Sequence, residues 1–499
     1  MKEWIIKMCS DINKRKLYQW LIFVVIVMLF WGTFFRLNYN NDTYYSVIRG
    51  WEDRAWDMLS RNGRIFAAMT YAFFSIINVS FSVGYQISFF LGVIFLATAL
   101  YVNYNLFERY MAKFWAFVLS MIIIMNPLSV DFFHAEVSQF NLGIVFSVLG
   151  TCTLIKWIEE ENVLDLLKTF VFIFFSAFSY QSIPGLFIMI SMPFLVKCAN
   201  YKFGKFVKNN VIVIALYGVA NALVLVIMTL LGSNKIVGVE KDWGQALQIA
   251  KFALNIAWKQ NFGFFTEFPI NTPFYLIIGI VIVSLLSIIL HEKQKITQAI
   301  WKVLSLIYIF VGAYLLQLVL LMVGYGRPRI CYPIGALFGV LILNYILNII
   351  GENKRDKSLL GVIGCVVILY IGSEYFCFQN TIIDRYTTNA RDKYTIEIIG
   401  SMISDYELQS GYRVEEVTFY KDAQVNRGYA DVKFVQDIQT RAFFDWYSDI
   451  YSLNHFLETN YQVGEVNKAY EEYFSGRDWD TFSTEQIIFT GNELHICMY

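Results

Sequence analysis

A chain of 499 residues with 57% hydrophobic, 18% aromatic and only 16% charged residues carries more apolar side chain than a water-facing surface can cover, which excludes an ordinary soluble enzyme. Forty basic and forty acidic residues cancel, and without a basic excess to displace counterions no nucleic-acid partner is expected. The balance hides an asymmetry: the last 121 residues carry 20 acidic and 10 basic groups, against 20 acidic and 30 basic in the first 378. The chain therefore reads as a membrane body over residues 1–378, followed by a small soluble α/β domain over residues 379–499.

Basic residues Lys2, Lys7, Lys14, Arg15 and Lys16 precede the first apolar run, which is long and lacks a small-residue cleavage pattern, so it reads as a retained first span. A helix needs about 20 apolar residues to cross roughly 30 Å of hydrocarbon. Runs at 17–36, 84–104, 114–130, 140–157, 168–182, 184–197, 210–232, 274–290, 303–323, 331–350 and 358–378 fit, predicting a polytopic α-helical membrane protein with about eleven transmembrane helices. Lys and Arg collect in 1–16, 105–113, 197–208, 291–302 and 351–357, which places the N-terminus and these connections in the cytoplasm of a plasma-membrane protein. A further apolar run, 64–82, would invert every later basic loop if it spanned. Its polar residues Arg64, Tyr71, Ser75, Asn78 and Ser82 form one helical stripe, predicting an interfacial helix that lies on the membrane surface. An ordinary span with that stripe packed on neighbours is the alternative. The external segments are then 37–83, 131–139, 233–273, 324–330 and the tail. In the tail an amphipathic helix is predicted over 384–409, a strand in RVEEVTFYK and a hairpin about Gly491 and Asn492. The 233–273 loop, aromatic and amphipathic, reads as another surface helix.

The polar clusters fall on the external side. Asp42 lies just beyond the first span, where a carboxylate can take a proton from a hydroxyl nucleophile while another substrate stays in lipid. Glu52, Asp53 and Asp57 follow among Arg49, Arg54, Arg61 and Arg64; they read first as mutually paired charges of a solvated loop and second as assistants at a site. In GYGRPRICYP, Arg327 and Arg329 stand at the top of an apolar span, and paired guanidiniums there suit phosphate oxygens or a lipid headgroup. The loop NPLSVDFFHAEVSQF supplies Asp131, His134, Glu136 and Gln139, while SYQSIPG supplies Tyr180 and Gln181; these suit sugar hydroxyls, or simply close helix ends. Nucleotide-cradling glycine motifs are missing. The seven cysteines lack metal-ligand spacing and there are four histidines, so neither a zinc site nor a disulfide framework is expected.

An acidic residue just outside the first span, a juxtamembrane helix opening with Gly63 and Arg64, the NP loop, the YQS segment and an arginine pair before a late span together resemble the bacterial GtrII-type glucosyltransferases. These are membrane enzymes of the broader GT-C architecture, and the resemblance covers the membrane body. It implies transfer of a hexose, glucose in that family, from a polyprenyl phosphate carrier to a cell-envelope polysaccharide on the outer face of the cytoplasmic membrane. On that resemblance Asp42 is the catalytic base, although the second acidic residue often found beside it is Asn41 here, which leaves a role open for Glu52 or Asp53. Arg327, Arg329 and Arg64 would hold the donor phosphate, and His134, Glu136, Tyr180 and Gln181 are substrate-binding candidates. No cofactor is implied and a divalent metal is optional, because the arginines neutralise the phosphate. The competing class is a transporter or flippase for lipid-linked sugars, or a polysaccharide polymerase of the same topology. Charges gathered at a membrane boundary, with no internal repeat, favour the enzyme over the carrier.

Overall fold

The computed structural model describes residues 14–132, 137–231, 272–290, 295–316, 328–350, 354–424, 428–429, 440–443, 448–479 and 481–498. Within these the chain is mostly helical. The helices are α1 Lys14–Trp31, α2 Asn41–Ser60, α3 Ile65–Ile76, α4 Phe81–Glu108, α5 Lys113–Ile124, α6 Val137–Glu160, α7 Val163–Ser179, α8 Pro184–Ala199, α9 Phe203–Leu230, α10 Thr272–Ile289, α11 Ile296–Leu315, α12 Pro328–Gly335, α13 Leu337–Asn344 and α14 Lys354–Ser410. Strand β1 (Glu416–Lys421), α15 (Asp449–Leu457), β2 (Gln462–Val463), α16 (Lys468–Ser475), β3 (Ile487–Thr490) and β4 (Glu493–Met498) complete it. Two compact units emerge: the first comprises Met1–Phe35, Ala55–Thr70 and Gln86–Phe378, the second Arg36–Arg54, Tyr71–Tyr85 and Gln379–Tyr499.

Among the described residues, seven helices are long and apolar enough to cross a membrane. They account for the runs beginning at 17, 84, 140, 210, 303, 331 and 358. The runs at 114–130, 184–197 and 274–290 form the shorter apolar helices Lys113–Ile124, Pro184–Ala199 and Tyr275–Ile289, and 168–182 falls on the 17-residue α7. At about 1.5 Å per residue a 12-residue helix rises about 18 Å, short of a full crossing, so α5 reaches further only through the 3₁₀ turn Pro127–Phe132. On α9, Val211, Ile214 and Val226 are more than half exposed, a surface that suits lipid and not water.

In the first unit α6 and α7 form an antiparallel hairpin held by small residues. A Cβ added at Gly143 would lie 2.8 Å from the Ser179 side chain, and one at Gly150 would lie 2.7 Å from Ile173. Between them the Ser147 and Ser176 hydroxyls meet at 2.8 Å, and Thr153 and Thr169 at 2.9 Å. Close backbone approach with interhelical hydroxyl bonds is how apolar helices associate where no hydrophobic driving force separates them from lipid. The Asn162 side chain caps α7 by accepting from the Leu164 N–H at 3.0 Å.

Two sequence expectations are corrected. The stretch 64–82 is not one helix: α3 ends at Ile76 and α4 starts at Phe81. Asn78 takes a left-handed conformation (φ +51°) and the Val79 N–H reaches back to the Phe74 carbonyl at 3.0 Å, a helix stop that a short amide residue tolerates. The stripe beginning at Arg64 also turns inward at Tyr71, which stacks on Trp51 at 5.3 Å, while Met69, Phe73 and Ile76 are exposed. Second, the last apolar run and the amphipathic tail helix are continuous in α14, because no Gly or Pro interrupts residues 373–384.

The second unit contains a mixed sheet in the order β2-β1-β4-β3. Strand β1 runs parallel to β4 with Val417 opposite Leu494, and β3 pairs antiparallel with β4 through the turn at Gly491 and Asn492. One sheet face, with Val417, Leu494 and Ile496, packs with Ile396, Ile399 and Ile403 of α14 and Leu453 of α15 in one core.

Candidate functional site

In the first unit the site is built on the hairpin's open end. Where α7 stops at Ser179, Tyr180 adopts extended backbone, and its ring meets Phe140 of α6 edge-on at 4.7 Å. The Arg64 guanidinium lies over the Tyr180 ring at 4.8 Å and over Phe140 at 5.7 Å. Such stacking uses the face of the guanidinium, whereas phosphate binding uses its N–H edge, so the two are compatible. Arg64 is aimed by its neighbour: Gly63 has φ +62°, and a Cβ there would lie 2.1 Å from Met228. Only glycine meets both conditions without strain. The Arg64 N–H then closes the turn on the Met58 carbonyl at 2.8 Å.

The next two residues of the YQS segment extend the cluster. The Gln181 amide donates to the Asn62 carbonyl at 3.4 Å, and the Ser182 hydroxyl donates to the Arg329 carbonyl at 2.8 Å. Arg329 stands in the first turn of α12, which is locked against the end of α5. There Asn126 donates to the Tyr332 carbonyl at 3.3 Å, the Tyr332 hydroxyl donates to the Ile124 carbonyl at 2.7 Å, and the Phe132 and Tyr332 rings meet at 4.5 Å. Arg64, Tyr180, Gln181 and the Arg329 backbone are thus joined in one cluster whose aromatic members are buried. Arg327, His134 and Glu136 lie outside the described residues. Gln139, adjacent to Phe140, is 2% exposed, and among the described residues neither its Nε2 nor its Oε1 has a hydrogen-bond partner.

Asp42, Glu52 and Asp53 belong to the second unit. Asn40 caps α2, its Oδ1 accepting from the Thr43 N–H and hydroxyl, both at 2.7 Å. That sets Asp42, partly buried, in the first helical turn, where the N-terminal partial positive charge stabilises an anion. The preceding segment is pinned to α14: Asn389 donates to the Tyr39 carbonyl and accepts from the Tyr39 N–H, both at 2.8 Å. Tyr39 stacks on Tyr44 at 5.1 Å, and its hydroxyl is 3.1 Å from His455 Nε2. Glu52 and Asp53 are exposed, beyond a kink in α2 at Gly50.

A group absent from the sequence reading lies deeper in the second unit. Asp392 of α14 is 1% exposed. It accepts from the Tyr429 hydroxyl at 2.9 Å and from the Ala442 N–H at 3.1 Å. Burial raises its carboxyl to about 6 against the opposing pull of Arg441, Tyr429, the Ala442 N–H and Arg385. Burial lowers Arg385 to about 10, so it stays cationic at neutral pH. Spacing on an exposed amphipathic helix does not single out Asp392, since its partners come from residues far along the chain.

Among the described residues no three His, Cys, Asp or Glu side chains gather to hold a metal ion. No protein-family model matches the chain, and no curated protein matches it.

Proposed function

We propose that the chain is a multi-pass membrane glycosyltransferase that moves a hexose from a polyprenyl phosphate to a cell-envelope polysaccharide at the outer face of the cytoplasmic membrane. Arg64 and Arg329, with Arg327, hold the donor phosphate, and Asp42 takes the proton of the acceptor hydroxyl as it attacks the anomeric carbon. The attack inverts the configuration through an oxocarbenium-like transition state. The phosphate departs as a stable anion, so no general acid is required; guanidinium N–H groups stabilise the charge it gains. The observation that carries this reading is the Arg64 guanidinium on the Tyr180 and Phe140 rings, tied through Ser182 to the arginine-bearing turn of α12. A cation held in an aromatic shell among apolar helices suits an anionic lipid headgroup.

Purified protein supplied with radiolabelled polyprenyl phosphate glucose and polysaccharide acceptors tests the proposal. Label appearing in the polymer supports it. Label that crosses a vesicle membrane without covalent change supports the second reading, a carrier of lipid-linked sugar. That reading is favoured by Glu374, a carboxylate only 6% exposed in the apolar part of α14, since buried carboxylates within spans are typical of transport pathways.

A further inference from the structure

The hairpin geometry singles out one more residue at the Arg64 cluster. Gln139, Gly143, Phe146 and Gly150 recur at intervals of four, three and four, which is one stripe of α6. Gly150 meets Ile173 in the body of α7, and Gly143 meets Ser179 at its end. The stripe continues one turn further, to Gln139, and the chain opposite continues past Ser179 into Tyr180, Gln181 and Ser182. The 4.7 Å contact between Phe140 and Tyr180 fixes that register. Gln139 immediately precedes Phe140, whose ring meets both Tyr180 and the Arg64 guanidinium, and so lies on the turn of α6 that carries the Arg64 stack.

Its amide is 2% exposed, and neither end has a hydrogen-bond partner among the described residues. Burying an amide that way is costly, and native structures retain few such groups without a ligand or an ordered water. A planar amide with N–H donors on one side and a carbonyl acceptor on the other matches a hydroxyl, which also donates and accepts. A phosphate alone offers only acceptors at neutral pH and leaves the amide oxygen unmatched.

We infer that Gln139 binds a hydroxyl of the hexose whose phosphate sits at Arg64, making it a residue that distinguishes sugar-bearing from bare prenyl phosphate. This rests on the glycosyl-transfer reading above. The test measures binding of farnesyl phosphate and farnesyl phosphate glucose to the full chain in detergent, for wild type, Gln139→Leu and Arg64→Ala, each shown to be folded by its thermal transition. Wild type is expected to prefer the sugar-bearing lipid. Gln139→Leu is expected to lose about five- to tenfold for that lipid, the loss of one good hydrogen bond, and to hold farnesyl phosphate unchanged. Arg64→Ala is expected to weaken both. If Gln139→Leu binds both probes as wild type does and melts higher, an interior water alone occupied the amide and the inference is overturned. Equal weakening toward both probes overturns it too, since Gln139 then only shapes the pocket. If wild type binds neither lipid, the transferase reading fails and takes this inference with it; intact Arg64-dependent binding without a sugar preference defeats the inference alone.

Discussion

Asp392 offers the most quantitative prediction. Its carboxyl, raised by burial to about 6, holds a proton more tightly in the folded chain than in the unfolded one, where an aspartate titrates near about 3.9. Protonated Asp392 therefore stabilises the second unit. That contribution is complete below about pH 4 and is lost as pH rises through about 6. Between pH 4 and pH 7 the separation of the two values amounts to about 2 kcal/mol. Other carboxylates of this acidic unit titrate over the same range, so the comparison is made against Asp392→Asn, which removes this titration alone. The stability of wild type relative to Asp392→Asn is expected to fall by about 2 kcal/mol from pH 4 to pH 7. Urea unfolding of the full chain in detergent, followed by tryptophan fluorescence at each pH, reads this difference. A difference that stays flat across the range, or that rises with pH, refutes the burial argument. It would mean that Arg441, Tyr429, the Ala442 N–H and Arg385 outweigh the loss of water around the carboxylate.

Asp42→Asn is expected to abolish transfer of labelled hexose while the protein remains in the membrane at normal abundance; wild-type turnover would remove Asp42 as the base. Arg64→Ala is expected to lower donor use about 10- to 100-fold at limiting donor. Arg64→Lys should recover only part of it, because lysine keeps the charge but loses the planar fork. Gly63→Ala places a Cβ 2.1 Å from Met228 at a positive φ, and is expected to cost about 1–3 kcal/mol in thermal unfolding. Adding Met228→Ala should restore the part due to the clash and leave the part due to backbone strain.

Much of the helical pattern was legible in the sequence because a membrane imposes its own length and polarity on every crossing segment. The breaks were harder. At Asn78 the polar stripe continued in register through a residue that stops the helix, and periodicity outweighed the one local cue, an asparagine able to adopt φ +51°. The junction near Phe378 hid a different feature: the composition changes there but the helix does not end, since no Gly or Pro interrupts residues 373–384 and α14 runs through them. Strand β1 and the hairpin at Gly491 were readable because turn chemistry and alternation are local signals.

The candidate site divides along the same line between local and distant information. The sequence singled out Arg64, Tyr180, Gln181 and Arg329, and the family resemblance implied one phosphate shared by the arginines, but the packing that joins Arg64 to Tyr180 needed the register of α6 against α7. That register was written in Gly143, Ser147 and Gly150, small residues spaced to face Ser179, Ser176 and Ile173. Read as a packing stripe, they bring Phe140 to Tyr180 and hence Gln139 to the arginine cluster. Asp392 had no comparable signal. Its neighbours Tyr429 and Ala442 lie 37 and 50 residues away, in loops whose path no periodicity encodes, and a carboxylate on an amphipathic helix is far more often solvated. Burial of a charge is a property of what packs over it, so it becomes visible only when the covering segments are in place.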